Sequence, residues 1–230
     1  MTTTMTDSPQ RPPARTPARI LLADDHELVR QGLKTVLKER PEWEVCGEAT
    51  TGRDAVKLAT ELHPDVVVLD ISMPELNGLE AARQILKEAP KTEVLILTVH
   101  DSENLIQEVL DAGARGYILK SDASKHLIAA IDSLRNRKPF FTSRISEVLL
   151  NGYLSGRGPL KGETTSRLTP RERQIVQLLA EGKSNKEVAS TLNISVKTAE
   201  THRTNIMRKL DLHSISGLVR YAIRNNIIQP

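Results

Sequence analysis

The chain has 230 residues, of which 27% are charged and 3% aromatic, and Cys46 is its single cysteine. This length allows one large or two ordinary domains, and one cysteine excludes an intrachain disulfide and a metal site built from several cysteines. No apolar run approaches the roughly 18 residues of a membrane span, and the N-terminus lacks the apolar core of a signal peptide, so we expect a cytoplasmic protein with no membrane partner.

Charge is distributed unevenly along the chain. Residues 19–138 carry 16 basic and 21 acidic side chains, a net charge of −5, whereas residues 167–230 carry 11 basic and 5 acidic side chains, a net charge of +6. This asymmetry indicates two domains with different partners, and the basic domain suits a polyanion.

The first part of the chain predicts a tail followed by an α/β domain. Residues 1–18 are rich in Thr, Pro and Arg and have few large apolar side chains, which predicts a disordered tail. Residues 19–138 then alternate short apolar runs with amphipathic segments in five β-α units. The run 66–69 is apolar throughout and predicts a strand buried on both faces. Strands that alternate with helices in this way predict a doubly wound parallel sheet with helices on both faces.

Polar side chains stand where the predicted strands end. Asp24 and Asp25 follow the first strand, Asp70 ends the third, Thr98 ends the fourth and Lys120 follows the fifth. Because the carboxyl ends of parallel strands lie on one edge, three carboxylates converge there, and such hard oxygen ligands favour Mg²⁺. Each residue alone has a simpler interpretation, Asp70 as a turn or capping residue and Lys120 as a solvated charge. Together they supply a nucleophile, a metal site, a hydroxyl and a cation, which phosphoryl transfer requires.

A longer pattern surrounds these strand ends. It resembles the receiver domain of two-component response regulators, and it is carried by Asp24-Asp25, Asp70, Met73-Pro74, Asn77-Gly78, Thr98 and residues 113–120. The resemblance covers residues 19–137 and implies a flavodoxin-like, five-stranded sheet with strand order 2-1-3-4-5. It also implies that Asp70 accepts a phosphoryl group from a sensor histidine kinase.

The same resemblance implies how the metal and the phosphoryl group are held. Asp25, Asp70 and the backbone carbonyl of Ser72 would bind Mg²⁺ directly, and Asp24 would act through water. The phosphoryl-contact and switch residues would be Thr98, Lys120 and Tyr117, the last of which would change rotamer.

The remainder of the chain predicts a linker and a small helical domain. Residues 139–166 form the linker, with a connecting helix as one option over 140–154 and a flexible stretch over 156–166. Order restarts with two capping boxes, Thr169-Pro170-Arg171-Glu172 and Ser184-Asn185-Lys186-Glu187. A tight turn then leads into a third helix capped by Ser195, which completes a helix-turn-helix pattern over residues 167–230.

The third helix of this domain has two distinct faces. Ala199, Ile206 and Leu210 lie near one face at helical spacing. The opposite face is polar and carries Lys197, Glu200, Thr201, Thr204 and Arg208. A solvated face is the simpler interpretation of any lone polar helix, but two capped helices at this spacing in a domain of net charge +6 favour DNA binding.

The helical domain also resembles a known family. Residues 168–227 resemble the DNA-binding domain of the NarL/FixJ regulators, related to LuxR, on the segments 168–172, 185–189 and 196–198. The resemblance implies double-stranded DNA as the partner and a dimer contact through a last helix over 214–225. It implies base contacts from Glu200, Thr201 and Thr204, and phosphate contacts from Lys186 and Lys197.

The sequence therefore predicts a phosphorylation-controlled transcription regulator that dimerises when phosphorylated and is not an enzyme. Two alternatives stay open: a phosphatase or transferase that uses Asp70 on small metabolites, and an interaction adaptor with no DNA role. The haloacid-dehalogenase type of phosphatase places its nucleophile after the first strand and repeats an Asp two residues on, where this chain has Ser72. Dinucleotide binding is disfavoured because no Gly-x-Gly-x-x-Gly follows the first strand. Salt-dependent DNA binding by residues 167–230 would separate the regulator from both alternatives.

Overall fold

The computed structural model describes residues 17–99, 103–142 and 168–228. Residues 1–16 of the predicted tail and residues 143–166 of the predicted linker lie outside the described residues. The predicted end of the tail at residue 18 is wrong, because Ala18 is buried in the first strand. The elements, in chain order, are β1 (Ala18–Ala23), α1 (Glu27–Leu37), β2 (Trp43–Ala49), α2 (Gly52–Leu62), β3 (Val66–Asp70), α3 (Gly78–Glu88), β4 (Glu93–Thr98), α4 (Glu103–Asp111), β5 (Gly116–Leu119), α5 (Ala123–Arg135), β6 (Phe140–Phe141), α6 (Pro170–Ala180), α7 (Asn185–Leu192), α8 (Val196–Lys209) and α9 (Ile215–Arg224). A short 3₁₀ turn, Lys120–Asp122, joins β5 to α5.

The strands form one parallel sheet in the order β2-β1-β3-β4-β5-β6. The first five strands confirm the predicted doubly wound, flavodoxin-like arrangement. The expected count of five strands is wrong, because Phe140 and Phe141 pair with Gly116 and Tyr117 as a sixth strand. A connecting helix therefore does not begin at Phe140: the two phenylalanines are half-buried against the two receiver cores and extend the edge of the sheet.

The central strands separate two apolar cores. All five residues of β3 are buried, as expected for a strand covered on both faces. Val67 and Leu69 point into the core beneath α2, α3 and α4, while Val66 and Val68 point into the core beneath α1 and α5. This alternation fixes the strand between the two helical layers, so the carboxylate that ends it has a fixed position.

The helices α6 to α9 enclose a separate core that includes Ile175, Ile206 and Leu218. Both predicted capping boxes are present, at Thr169 with Glu172 and at Ser184 with Glu187. The turn between α7 and α8 passes through Asn193 in the left-handed region. The longest of the described helices, α8, has 14 residues, and none of them is long and apolar enough to cross a bilayer.

Candidate functional site

The strand register brings the predicted polar residues to one edge of the sheet. Ala23 pairs with Leu69, so Asp24 lies beside Asp70 one position further along. On the other side of β3, Asp70 pairs with Leu97, the residue before Thr98. Thr98 in turn pairs with Leu119, the residue before Lys120. Four parallel strands therefore end within about one residue of each other, which explains how side chains far apart in sequence share one site.

Asp24, Asp70 and Lys120 form a buried ionic cluster at this edge. Asp24 and Asp70 are each 1% exposed, and the Lys120 Nζ lies 2.7 Å from Asp24 Oδ2 and 3.0 Å from Asp70 Oδ2. Burial raises the pKa of Asp70, an effect that the Lys120 charge opposes and that Asp24 strengthens. Burial also disfavours the charge on Lys120, but its two carboxylate partners outweigh burial and raise the pKa of Lys120. One ammonium thus serves two closely spaced carboxylates.

The acidic cluster extends to Asp25 and His26. Carboxylate oxygens of Asp24, Asp25 and Asp70 and a ring nitrogen of His26 all lie within 4.8 Å of one another. The His26 N–H donates to Asp24 Oδ1 at 2.8 Å, and its Nδ1 lies 2.8 Å from Asp25 Oδ1. Among the described residues no donor is well aligned with the buried Oδ2 atoms of Asp24 and Asp70, although Lys120 is close to both. A divalent cation fits this excess of negative charge. The sequence prediction missed His26, although its position next to Asp24-Asp25 could have indicated it.

The other predicted receiver residues lie close to this cluster in the fold. Thr98 and Tyr117 are both buried. Tyr117 is fully enclosed in the core beneath α3 and α4. Ser72 lies half-buried in the turn that directly follows Asp70. The metal-binding role of its carbonyl, and the roles of Thr98 and Tyr117, stay predictions.

The Asn77-Gly78 pair closes the segment that follows Asp70. The Asn77 side chain caps α3 by accepting from the Glu80 N–H at 3.0 Å, and the Gly78 N–H donates to the Ile71 carbonyl at 2.8 Å. A Cβ on Gly78 would lie 2.0 Å from the Asp70 carbonyl oxygen. Only glycine lets α3 begin against the backbone of Asp70, the phosphoacceptor candidate. Gly78 therefore allows the close packing of α3 on the end of β3.

The outer face of α8 is exposed, as its sequence predicts. Ala199, Ile206 and Leu210 are buried in the domain core. The predicted DNA-facing residues are all exposed, namely Lys186 at the start of α7 and Lys197, Glu200, Thr201, Thr204 and Arg208 along α8. The hydroxyls of Thr201 and Thr204 donate to the carbonyls of Lys197 and Glu200, which leaves their oxygens able to accept from a ligand. Asn205, exposed on the same helix and bonded to Arg208, was not predicted.

A further set of polar residues joins the two domains. Four polar side chains face the receiver at helical spacing. Arg173, Gln174 and Gln177 lie in α6, and Glu181 is the residue directly after it. The sequence prediction missed them, because a polar helical face is normally solvated and nothing in the sequence shows what covers it.

Comparisons with known proteins agree with this geometry. Residues 20–132 match the response regulator receiver domain, and residues 166–222 match the luxR family of bacterial regulatory proteins. The transcriptional regulatory protein LiaR of Bacillus subtilis is 39% identical over 211 residues, which cover 91% of this chain and 99% of LiaR.

Solved structures of a response regulator align with this chain over most of its length. RcsB from Salmonella enterica serovar Typhimurium, bound to a promoter in the presence of phosphomimetic BeF₃⁻, aligns with a TM-score of 0.60 at 27% identity, covering 89% of this chain and 98% of that chain. A structure of two RcsB dimers bound to two parallel DNAs aligns with a TM-score of 0.53 at 26% identity, covering 89% of this chain and 96% of that chain.

A phosphoacceptor-type receiver fold joined to a helix-turn-helix domain defines the DNA-binding response regulators. The chain belongs to the NarL/LuxR family of two-component response regulators, which regulate transcription. This is a family of DNA-binding regulators rather than of known enzymes. Receiver domains typically bind Mg²⁺ at an acidic pocket, and this chain has an aspartate-rich cluster at the carboxyl edge of its sheet.

Proposed function

We propose that Asp70 accepts a phosphoryl group from a sensor histidine kinase and that this event controls dimerisation and DNA binding. The observation that carries the proposal is the buried contact of Lys120 with both Asp70 and Asp24 at the edge where Thr98 also ends its strand. A carboxylate nucleophile, a fixed cation and a hydroxyl at one edge match the needs of phosphoryl transfer.

The transfer follows from these side chains. A carboxylate oxygen of Asp70 forms a bond to phosphorus while the phosphorus–nitrogen bond of the kinase phosphohistidine breaks, and its electron pair returns to the imidazole nitrogen. Lys120 and the Thr98 hydroxyl stabilise the oxygens of the transferred group. Asp25, Asp70 and the Ser72 carbonyl would hold Mg²⁺, with Asp24 acting through water. When bound, the cation neutralises charge on the phosphoryl oxygens.

The phosphoryl group then changes the balance between two receiver states. It adds a charge of about −2 at the end of a buried strand. Tyr117 would change rotamer, and the altered surface would favour a homodimer that binds double-stranded promoter DNA at inverted or direct half-sites. The need for both a kinase and DNA supports a cytoplasmic location for this activity.

Phosphodonor should change both the oligomeric state and the DNA affinity of the intact protein. We expect a shift toward dimer in sedimentation and tighter binding to a promoter fragment after treatment with acetyl phosphate and Mg²⁺. The Asp70→Asn variant is the control and should show neither change. Equal oligomeric state and equal DNA affinity with and without phosphodonor would refute the coupling.

The variant Lys197→Ala should weaken binding on every duplex sequence. One lost phosphate contact releases one counterion fewer, so the slope of log affinity against log salt should fall by about one unit. The matched control is Lys125→Ala, which removes the same charge from an exposed position on α5 of the receiver. An unchanged slope for Lys197→Ala would remove this residue from the phosphate contacts.

A further inference from the structure

The polar face of α6 closes on the segment that follows Asp70. The Gln177 Oε1 accepts from the Asn77 N–H at 2.8 Å, and its Nε2 donates to the Met73 carbonyl at 2.8 Å. Both partners are backbone groups of residues 73–77, which connect β3 to α3. One side chain of the DNA-binding domain therefore holds both ends of this connection.

Gln177 is well suited to hold this segment. It is 1% exposed, and its second amide hydrogen is directed to Glu181 Oε1, with the nitrogen and oxygen 2.8 Å apart. Its donors and acceptor are thus all directed to partners, and removal of its amide while the domains stay packed would leave the Met73 carbonyl and the Asn77 N–H without these partners.

The neighbouring residues support the same contact. The Glu75 N–H donates to the carboxylate of Glu181 at 3.2 Å, although Glu75 is a non-glycine residue in the left-handed region, with φ of 67°. Arg173 lies 3.2 Å from Glu108 on α4, which anchors the other end of the helix face. The segment after Asp70 therefore includes a residue in an unfavourable backbone conformation, and the N–H of that residue is bonded to the second domain.

This interface leaves the DNA-facing side of α8 open. Lys197, Glu200 and Arg208 remain exposed while α6 is packed on the receiver. The contact therefore does not act by covering these residues. What it touches instead is the segment of residues 73–77, which begins directly after Ser72, the predicted carbonyl ligand.

We propose that Gln177 is a positioning residue for the phosphoryl-acceptor site, and that by holding residues 73–77 it opposes phosphorylation of Asp70. The inference rests on the proposed function, in which phosphate on Asp70 alters the receiver surface, and it adds that this altered surface and the contact of α6 with residues 73–77 disfavour one another. Coupling between two events is reciprocal, so a contact that phosphate weakens must itself disfavour phosphate. The DNA-binding domain thereby affects how readily Asp70 of its own receiver is phosphorylated.

Full-length Gln177→Met tests this inference, because methionine keeps the volume and helix propensity of glutamine and removes both bonds to the segment. With acetyl phosphate and Mg²⁺, we expect the steady-state ratio of phosphorylated to unphosphorylated Gln177→Met to exceed that of wild type by about fivefold or more. The matched control is Gln174→Met, which changes a neighbouring amide that contacts Glu80 on α3 at 3.5 Å and does not touch residues 73–77. It should stay within twofold of wild type.

Hydrogen exchange of the Asn77 amide supplies a readout that a general loss of stability would not imitate. In unphosphorylated Gln177→Met this amide should exchange faster than in wild type, and phosphorylation should speed it in wild type alone. If wild type is labelled and Gln177→Met is phosphorylated to the same extent, the inference is overturned and the proposed function stands. A similar increase in Gln174→Met would also overturn the assignment to Gln177. An unlabelled wild type would refute the proposed function and this inference together.

Discussion

Replacing Asp70 with asparagine should abolish phosphoryl labelling by a phosphohistidine donor or by acetyl phosphate in Mg²⁺. The amide has nearly the same shape as the carboxylate but is not a nucleophile toward phosphorus. The measurement is transfer of labelled phosphate to the full-length protein, followed by release of the acyl phosphate with hydroxylamine. This is the largest effect that we expect from a single substitution on function.

The control for this experiment is Asp65→Asn. It makes the same change directly before the other end of β3, where the Asp65 carboxylate accepts from the Arg19 N–H at 2.8 Å. Labelling of this control should match wild type. Undiminished labelling of Asp70→Asn would contradict the assignment of Asp70 as phosphoacceptor.

The Asp70→Asn variant should also be more stable than wild type at neutral pH in the absence of Mg²⁺. Burial raises the pKa of Asp70 in the fold, so its ionised form is disfavoured in the folded state relative to the unfolded chain. Stability from this group is fully present below its unfolded pKa and is lost as the pH rises through the folded pKa. Asparagine removes that loss, so its melting temperature should exceed that of wild type at pH 7 and the difference should shrink in acid.

Replacing Gly78 with alanine should destabilise the receiver domain by about 3 kcal/mol or more. The new Cβ would lie 2.0 Å from the Asp70 carbonyl oxygen and 2.8 Å from its carbonyl carbon. Both atoms belong to the backbone of the central strand, so no side-chain rotation relieves the clash. Denaturant unfolding monitored by far-UV circular dichroism gives the stability, and phosphodonor labelling should fall with it.

Gly32→Ala is the matched control for this substitution. Gly32 lies within α1, and a Cβ there would meet no atom within 4 Å. Alanine should therefore stabilise the receiver by about 0.5–1 kcal/mol, because glycine is disfavoured within a helix. Comparable loss of stability in both variants would show that the contact of Gly78 with Asp70 is not the cause.

The candidate site illustrates which parts of the structure a sequence can predict. The apolar runs and the charged or hydroxyl residues that follow them predicted the parallel sheet and the shared edge, because strands of this kind must be buried and their ends must coincide. The edge strand Phe140–Phe141 was missed. Two residues are too few to form a strand pattern, and only the free edge of β5 gives them a partner.

His26 and the polar face of α6 were missed for a different reason. The role of His26 depends on the direction of its ring at the start of α1, where its nitrogen lies 2.8 Å from Asp25. The burial of Gln177 depends on a second domain 100 residues away from Asn77 in sequence. Neither the direction of a side chain nor the partner of a polar face is encoded in the local periodicity of the chain.

The sequence by itself predicted the two domain types and the five polar positions at the carboxyl edge, since hydrophobic periodicity and residue chemistry are local properties of the chain. The order of the first five strands was an implication of the resemblance to receiver domains. Only the tertiary structure decided that Lys120 bridges Asp24 and Asp70, that Gly78 must lack a side chain, and that Gln177 holds residues 73–77. Those features depend on distances between segments far apart in sequence, and packing alone fixes such distances.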